Sequence, residues 1–183
     1  MPILESGLRG YPSISHAIED LPFDVIVPGI ELPRFTPSGV YTLQGQPESS
    51  PSLILNNIYA TNYQPAYLVI RQGLEGSFLH EQTIGASAVV EKLQVGSQTA
   101  EYVHGDWSVE DNSIPFASRP EMPRLRWDAE NGSHWLWWKA GDLYISLEFH
   151  TRFSDRLIEE DERITKEFLL AIAESFVPVE GMP

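Results

Sequence analysis

RLRWDAENGSHWLWWKAGDLYISLEFH, residues Arg124 to His150, sets two turn signals between three β-rich runs. Asn131-Gly132 suits a two-residue type I′ turn, because both of its central residues must take positive φ. Closing that turn pairs Glu130 with Ser133, Trp127 with Leu136 and Leu125 with Trp138. Gly141-Asp142 suits a type II′ turn, which pairs Lys139 with Tyr144, Trp138 with Ile145 and Leu136 with Leu147. The two registers are set independently, yet they agree on faces. One face holds Leu125, Trp138 and Ile145, then Trp127, Leu136 and Leu147, with His134 and Phe149 at its end. A one-residue slip in either hairpin would mix apolar and polar faces, so the register is well specified. The expectation is a three-stranded antiparallel meander with this face in the core.

The second face carries Arg126, Trp137 and Ser146, then Asp128, Trp135 and Glu148, with Arg124, Lys139 and Tyr144 at the far end. Arg124, Arg126, Trp135, Trp137, Tyr144 and Glu148 form the candidate binding surface, since Trp and Arg are enriched at binding hot spots. Arg126 opposite Trp137 permits a cation–π contact worth about 0.5–1 kcal/mol if exposed. Glu148 pairs across strands with Trp135, and an acid against an aromatic can have a raised pKa, a hint of catalytic use. Three readings of this face stay open: a ligand or partner platform, a contact between copies, or a surface covered by loop 105–123 or 151–163.

Working outward, Ser13 caps a short helix from Ile14 to Asp20, with Ile14, Ala17 and Ile18 on one stripe and Pro22 as its stop. Phe23 to Pro28 is extended, and Pro28, Pro33 and Pro37 forbid a central strand across 28–38. Val40 to Gln44 is a strand. Leu53 to Tyr59 and Ala66 to Gln72 form a hairpin, and Ala88–Val95 with Thr99–His104 form another around Gly96-Ser97. Thr165 caps a last helix, Lys166 to Phe176, with Ile164 stapled onto Leu169 and an apolar stripe of Phe168, Leu169, Ile172, Ala173 and Phe176. Pro178 stops it. The pattern predicts an α+β fold: one twisted antiparallel sheet of about six to eight strands, with an N-terminal and a C-terminal helix packed on it. All of 1–183 is expected to be one domain, with its core at about 14–178 and long loops at 105–123 and 151–163.

The 183 residues are 42% hydrophobic, enough for a real core. Twelve Lys+Arg against 26 Asp+Glu give a net charge of −14, which repels nucleic-acid backbones and anionic lipid. The absence of cysteine excludes disulfides, thiolate metal sites and a cysteine nucleophile. No run approaches the roughly 20 apolar residues of a spanning helix, and no signal peptide is visible at the start of the chain.

Catalytic motifs are absent: no G-x-S-x-G, P-loop, G-x-G-x-x-G or H-E-x-x-H. The five histidines, 16, 80, 104, 134 and 150, are scattered, and His134 reads as a core-edge residue. Glu159 to Glu162 reads as a solvated acidic run. Asn131-Gly-Ser fits a glycosylation sequon, but the turn already accounts for it. No cofactor, no metal and no catalytic residue is expected.

The order of segments is similar to a known family. A helix leads into Leu21-Pro-Phe-Asp-Val-Ile-Val-Pro and then Thr36-Pro-Ser-Gly-Val-Tyr-Thr-Leu. Tyr67-Leu-Val-Ile-Arg-Gln, Leu93-Gln-Val-Gly-Ser-Gln-Thr-Ala, Leu125-Arg-Trp and Gly141-Asp-Leu-Tyr follow, and the chain closes with Ile164-Thr-Lys-Glu-Phe-Leu-Leu-Ala-Ile-Ala-Glu-Ser-Phe. From about Ile14 to Phe176 this resembles the bacterial domain of unknown function 4367-like family, found outside the membrane at the C-terminal end of anti-sigma-factor-like proteins and in lipoproteins. Val40 departs from its glycine-tyrosine order, and the loops at 105–123 and 151–163 are longer. The resemblance implies a non-enzymatic extracytoplasmic sensing or binding domain, periplasmic or at the cell surface, that contacts a protein partner or small ligand. The layout is also similar to the lipoprotein-carrier fold. A likeness of fold says little about function. The alternative reading is a carrier of an apolar ligand held between the sheet and the helices, in a cavity lined by residues such as Trp127, Leu136, Trp138 and Phe149. An enzyme of unrecognised type is the third reading.

Overall fold

The computed structural model describes residues 8–32, 34–44, 53–61, 66–74, 84–109, 125–151 and 164–179. In chain order the elements are β1 (Leu8–Tyr11), α1 (Ile14–Ile18), β2 (Ile26–Pro28), β3 (Phe35–Gln44), β4 (Leu53–Thr61), β5 (Tyr67–Leu74) and β6 (Val90–Val95). They continue with β7 (Gln98–His104), β8 (Asp106–Val109), β9 (Leu125–Asp128), β10 (His134–Ala140), β11 (Leu143–His150), α2 (Lys166–Glu174) and β12 (Phe176–Pro178). The described residues are mostly antiparallel sheet. Eight strands form one sheet in the order β1-β3-β4-β5-β11-β10-β7-β6, and β12–β2 and β8–β9 form two small ribbons.

The 141–142 turn closes as its residues dictate. Gly141 has φ +62 and Asp142 stays at negative φ, the II′ signature, and Lys139, Trp138 and Leu136 pair with Tyr144, Ile145 and Leu147. Gly96, at φ +58, closes β6 onto β7 in the same way. The β4–β5 hairpin also forms as its residues predict. β3 starts at Phe35, earlier than expected, and includes Pro37. Proline is tolerated there because β1 joins β3 only from Val40 onward, so among the described residues Pro37 has a neighbour strand on the β4 side alone.

The meander is corrected at its first strand. β9 does not pair with β10; it pairs with β8, Trp127 opposite Trp107, and β10's second neighbour is β7. Neither Asn131 nor Gly132 has positive φ, so a type I′ turn is not formed. Instead Asn131 Oδ1 accepts from the Ser133 N–H at 2.8 Å, and the side chain bends the chain in place of a hairpin. Leu125, placed in the core by the expected register, is therefore 57% exposed. The loop expected at 105–123 begins instead with strand β8, and its remainder, like 152–163, lies outside the described residues.

The core lies on one face of the sheet. Leu136, Ile145, Leu147, Leu68 and Ile70 are fully buried there, against Leu169 and Ile172 of α2. Thr165 Oγ1 accepts from Phe168 N at 3.2 Å and caps α2, which ends at Glu174; Phe176–Pro178 leave the helix as β12 and pair with β2. On this face Gln72 holds β2 by a two-way link, accepting from Ile26 N at 3.0 Å and donating to Ile26 O at 2.8 Å. A second cluster seats Ala17 of α1 against Val25 and Val40. α1 spans Ile14–Ile18, and Ser13 makes no capping bond; its hydroxyl lies 2.8 Å from His16 Nδ1 instead.

Candidate functional site

β11 is central in the sheet and buried on both faces, so its polar side chains on the second face must find partners within the protein. Ser146, Glu148 and His150 alternate along it. The pairing of β11 with β5 sets Ser146 opposite Arg71 and His150 opposite Tyr67. Glu148 is fully buried. It accepts from the Ser146 hydroxyl at 2.7 Å, from Arg71 Nη1 at 3.1 Å and from His150 Nε2 at 3.2 Å. The other ring nitrogen, Nδ1, lies 3.3 Å from Asp106 Oδ2 at the root of β8. The ring is flanked by Tyr67, at 5.1 Å between centroids, and by Trp135 edge-on at 4.8 Å.

This geometry reverses the expectation for Glu148. Its strand partner is indeed Trp135, and burial alone pushes the carboxyl up. The His150 hydrogen bond, the Arg71 charge and the Ser146 hydroxyl outweigh burial, and the pKa is lowered. Asp106 is likewise lowered: burial opposes, but the His150 and Trp107 hydrogen bonds prevail. His150 is raised, because two carboxylates more than offset its burial.

The expected binding surface is only partly assembled. Arg124 lies outside the described residues. Arg126 is exposed on β9 opposite Ser108, so strand pairing does not place it against Trp137. Trp135 and Trp137 are half-buried, and their indole N–H groups donate to Gly105 O at 2.9 Å and Glu101 Oε2 at 3.0 Å. The cation that meets an aromatic ring here is Lys139, 5.3 Å from the centre of Tyr144. Val69, Val103, Ser146 and Glu148 are buried on the same face, so its centre is not open. Arg71, His150 and Asp106 were missed by sequence reasoning. Only the i, i+2 spacing of Glu148 and His150 on one strand was a visible signal.

On the core face, Tyr102 Oη and His134 Nδ1 lie 2.6 Å apart, and His104 stacks on His134 at 4.7 Å. Burial, reinforced by His104, lowers the His134 pKa to about 3, so the ring is neutral at ordinary pH. His134, the first residue of β10, is buried at this end of the sheet beside Phe149 and part-buried His104. Among the described residues, no three metal-ligating side chains could hold an ion. In the buried cluster the Ser146 hydroxyl donates a hydrogen bond to Glu148, and both His150 nitrogens face carboxylates.

No family model matches the chain, and no curated protein or solved structure matches it. Among the described residues, no helix is long and apolar enough to cross a membrane.

Proposed function

We propose that the chain is a non-enzymatic binding domain that contacts a partner protein or small ligand through the second face of its sheet. The observation that carries this reading is the row of half-buried Trp135, Trp137 and Tyr144, flanked by Arg71, Lys139 and Glu101, on the face opposite α2 and the β2–β12 ribbon. Aromatic and cationic groups held by strand pairing lose little freedom on binding, which favours affinity. The carrier alternative is less well supported. Trp138 packs edge-on against Phe176 at 5.6 Å and Phe149 against Phe35 at 6.4 Å, while Trp127 belongs to the β8–β9 ribbon. We place the domain in an extracytoplasmic setting on the strength of the family resemblance alone. Recovery of the native protein in the cytoplasmic fraction would overturn that setting.

The binding reading is tested with Trp137→Ala. The variant is expected to keep its near-ultraviolet circular dichroism outside the lost tryptophan, and to lose a partner that the wild-type protein retains in co-purification from its own cells. A variant that unfolds, or that retains the same partner, assigns Trp137 to structure and removes the face from consideration.

A further inference from the structure

His150 is the one side chain in the described buried cluster that joins two elements through two carboxylates. Nε2 faces Glu148 of its own strand at 3.2 Å, and Nδ1 faces Asp106 of β8 at 3.3 Å. A neutral imidazole has one N–H, so it can satisfy only one of these oxygens; only the imidazolium donates to both. The other groups facing the ring among the described residues are the Tyr67 and Trp135 rings, from β5 and β10, with Arg71 of β5 reaching it through Glu148. Among the described residues, Arg71 and imidazolium balance Glu148 and Asp106. With a neutral ring these four described groups carry one net negative charge in a largely buried place.

We propose that His150 is a pH-operated latch: its doubly protonated ring clasps Asp106 to the sheet, and loss of one ring proton to solvent releases Asp106 and loosens the β8–β9 ribbon. The side that lets go follows from burial. The Glu148 side chain is 1% exposed and that of Asp106 22%. The remaining proton stays on Nε2, where the carboxylate has no access to water, and the Nδ1 lone pair is left facing Asp106. Asp106 can turn outward to water. It keeps its Oδ1 bond from the Trp107 N–H at 2.7 Å, which lies within β8, so the Ser133 side chain is the tie from Asp106 to the sheet that remains among the described residues. The raised pKa of His150 and the lowered pKa of both acids agree in direction with this geometry.

Freeing Asp106 leaves β8 joined at its root by the Gly105 N–H to Ser133 O, 2.8 Å, and by Trp135 Nε1 to Gly105 O. The latch therefore bears on the setting of Trp135, but it stands whether or not that face binds a partner. Amide hydrogen exchange on the full chain, read by NMR from about pH 5.5 to about pH 9 and expressed as protection factors, tests it. As the His150 ring titrates, protection in β8 is expected to fall about tenfold for each unit by which its pKa exceeds the unfolded value, while Leu136 and Leu147 amides hold theirs. His150→Gln should abolish the step. Protection in β8 that stays flat through the His150 titration, or falls together with Leu136 and Leu147, overturns the proposal. If His150→Gln fails to fold, Asp106→Asn serves: it preserves the Glu148–Arg71 pair and should lower the His150 pKa and remove the step. An unchanged His150 titration in that variant also overturns the latch.

Discussion

Glu148 and His134 occupy opposite faces of the same strand pair, β10–β11, and solve burial in opposite ways. Glu148 stays charged because Ser146, Arg71 and His150 converge on it; His134 stays neutral because little offsets its desolvation. Glu148→Gln removes the buried anion and leaves Arg71 and His150 facing an amide. The expected cost is about 3–5 kcal/mol in urea unfolding, and a loss below about 1 kcal/mol would show that water already serves the cluster. The two histidines also set the pH dependence. The folded pKa of His134 is depressed, so below about pH 6.5 the unfolded chain takes up a proton that the native state refuses, and stability falls with acid by about 1.4 kcal/mol per pH unit toward pH 3. The folded pKa of His150 is raised, so its contribution is full below the unfolded value and is lost as pH rises through the folded one. Asp106 and Glu148 add losses only under strong acid, as pH falls through their lowered values. Stability should therefore peak near neutral pH. His134→Gln should flatten the acid limb and His150→Gln the alkaline one, as seen in denaturant midpoints across the range.

At the scale of elements, local signals were reliable where backbone chemistry left one answer. Gly96 and Gly141 each supply the positive φ that a II′ turn needs, and both hairpins close there. Thr165 caps α2 as read; Thr165→Ala should cost about 1 kcal/mol, measured as a drop in unfolding free energy with an unchanged m-value. Asn131-Gly132 misled because asparagine has a second option. Its side chain can accept from a backbone N–H two residues on, and it does so with Ser133 while Nδ2 donates to Thr151 O at 3.3 Å. β9 was then free to pair elsewhere, and the edge-on contact of Trp107 with Trp127, at 5.8 Å, belongs to that alternative. The ribbon's root is fixed by Gly105. Its φ of +110 suits glycine, and an added Cβ would come 2.5 Å from Asp128 O.

The whole molecule is organised by long-range pairing. β5 meets β11 with Ile70 opposite Leu147, and β10 meets β7 with Leu136 opposite Tyr102. Closing such loops costs entropy before the core rewards it, so refolding from urea, followed by tryptophan fluorescence, should take about milliseconds to seconds; microsecond relaxation would contradict the topology. The sequence by itself determined the β10–β11 register, the core face of those strands, the II′ turns and the capped α2. Each of these rests on residues within a few positions of one another, where side-chain alternation or a single φ requirement leaves one outcome. Only the tertiary structure decided that β7 and not β9 lies beside β10, that Trp137 meets Glu101 and not Arg126, and that Arg71 and Asp106 join Glu148 and His150. Those neighbours come from distant parts of the chain. Burial on both sides of a central strand, a property of the assembled sheet, is what forces their charges together.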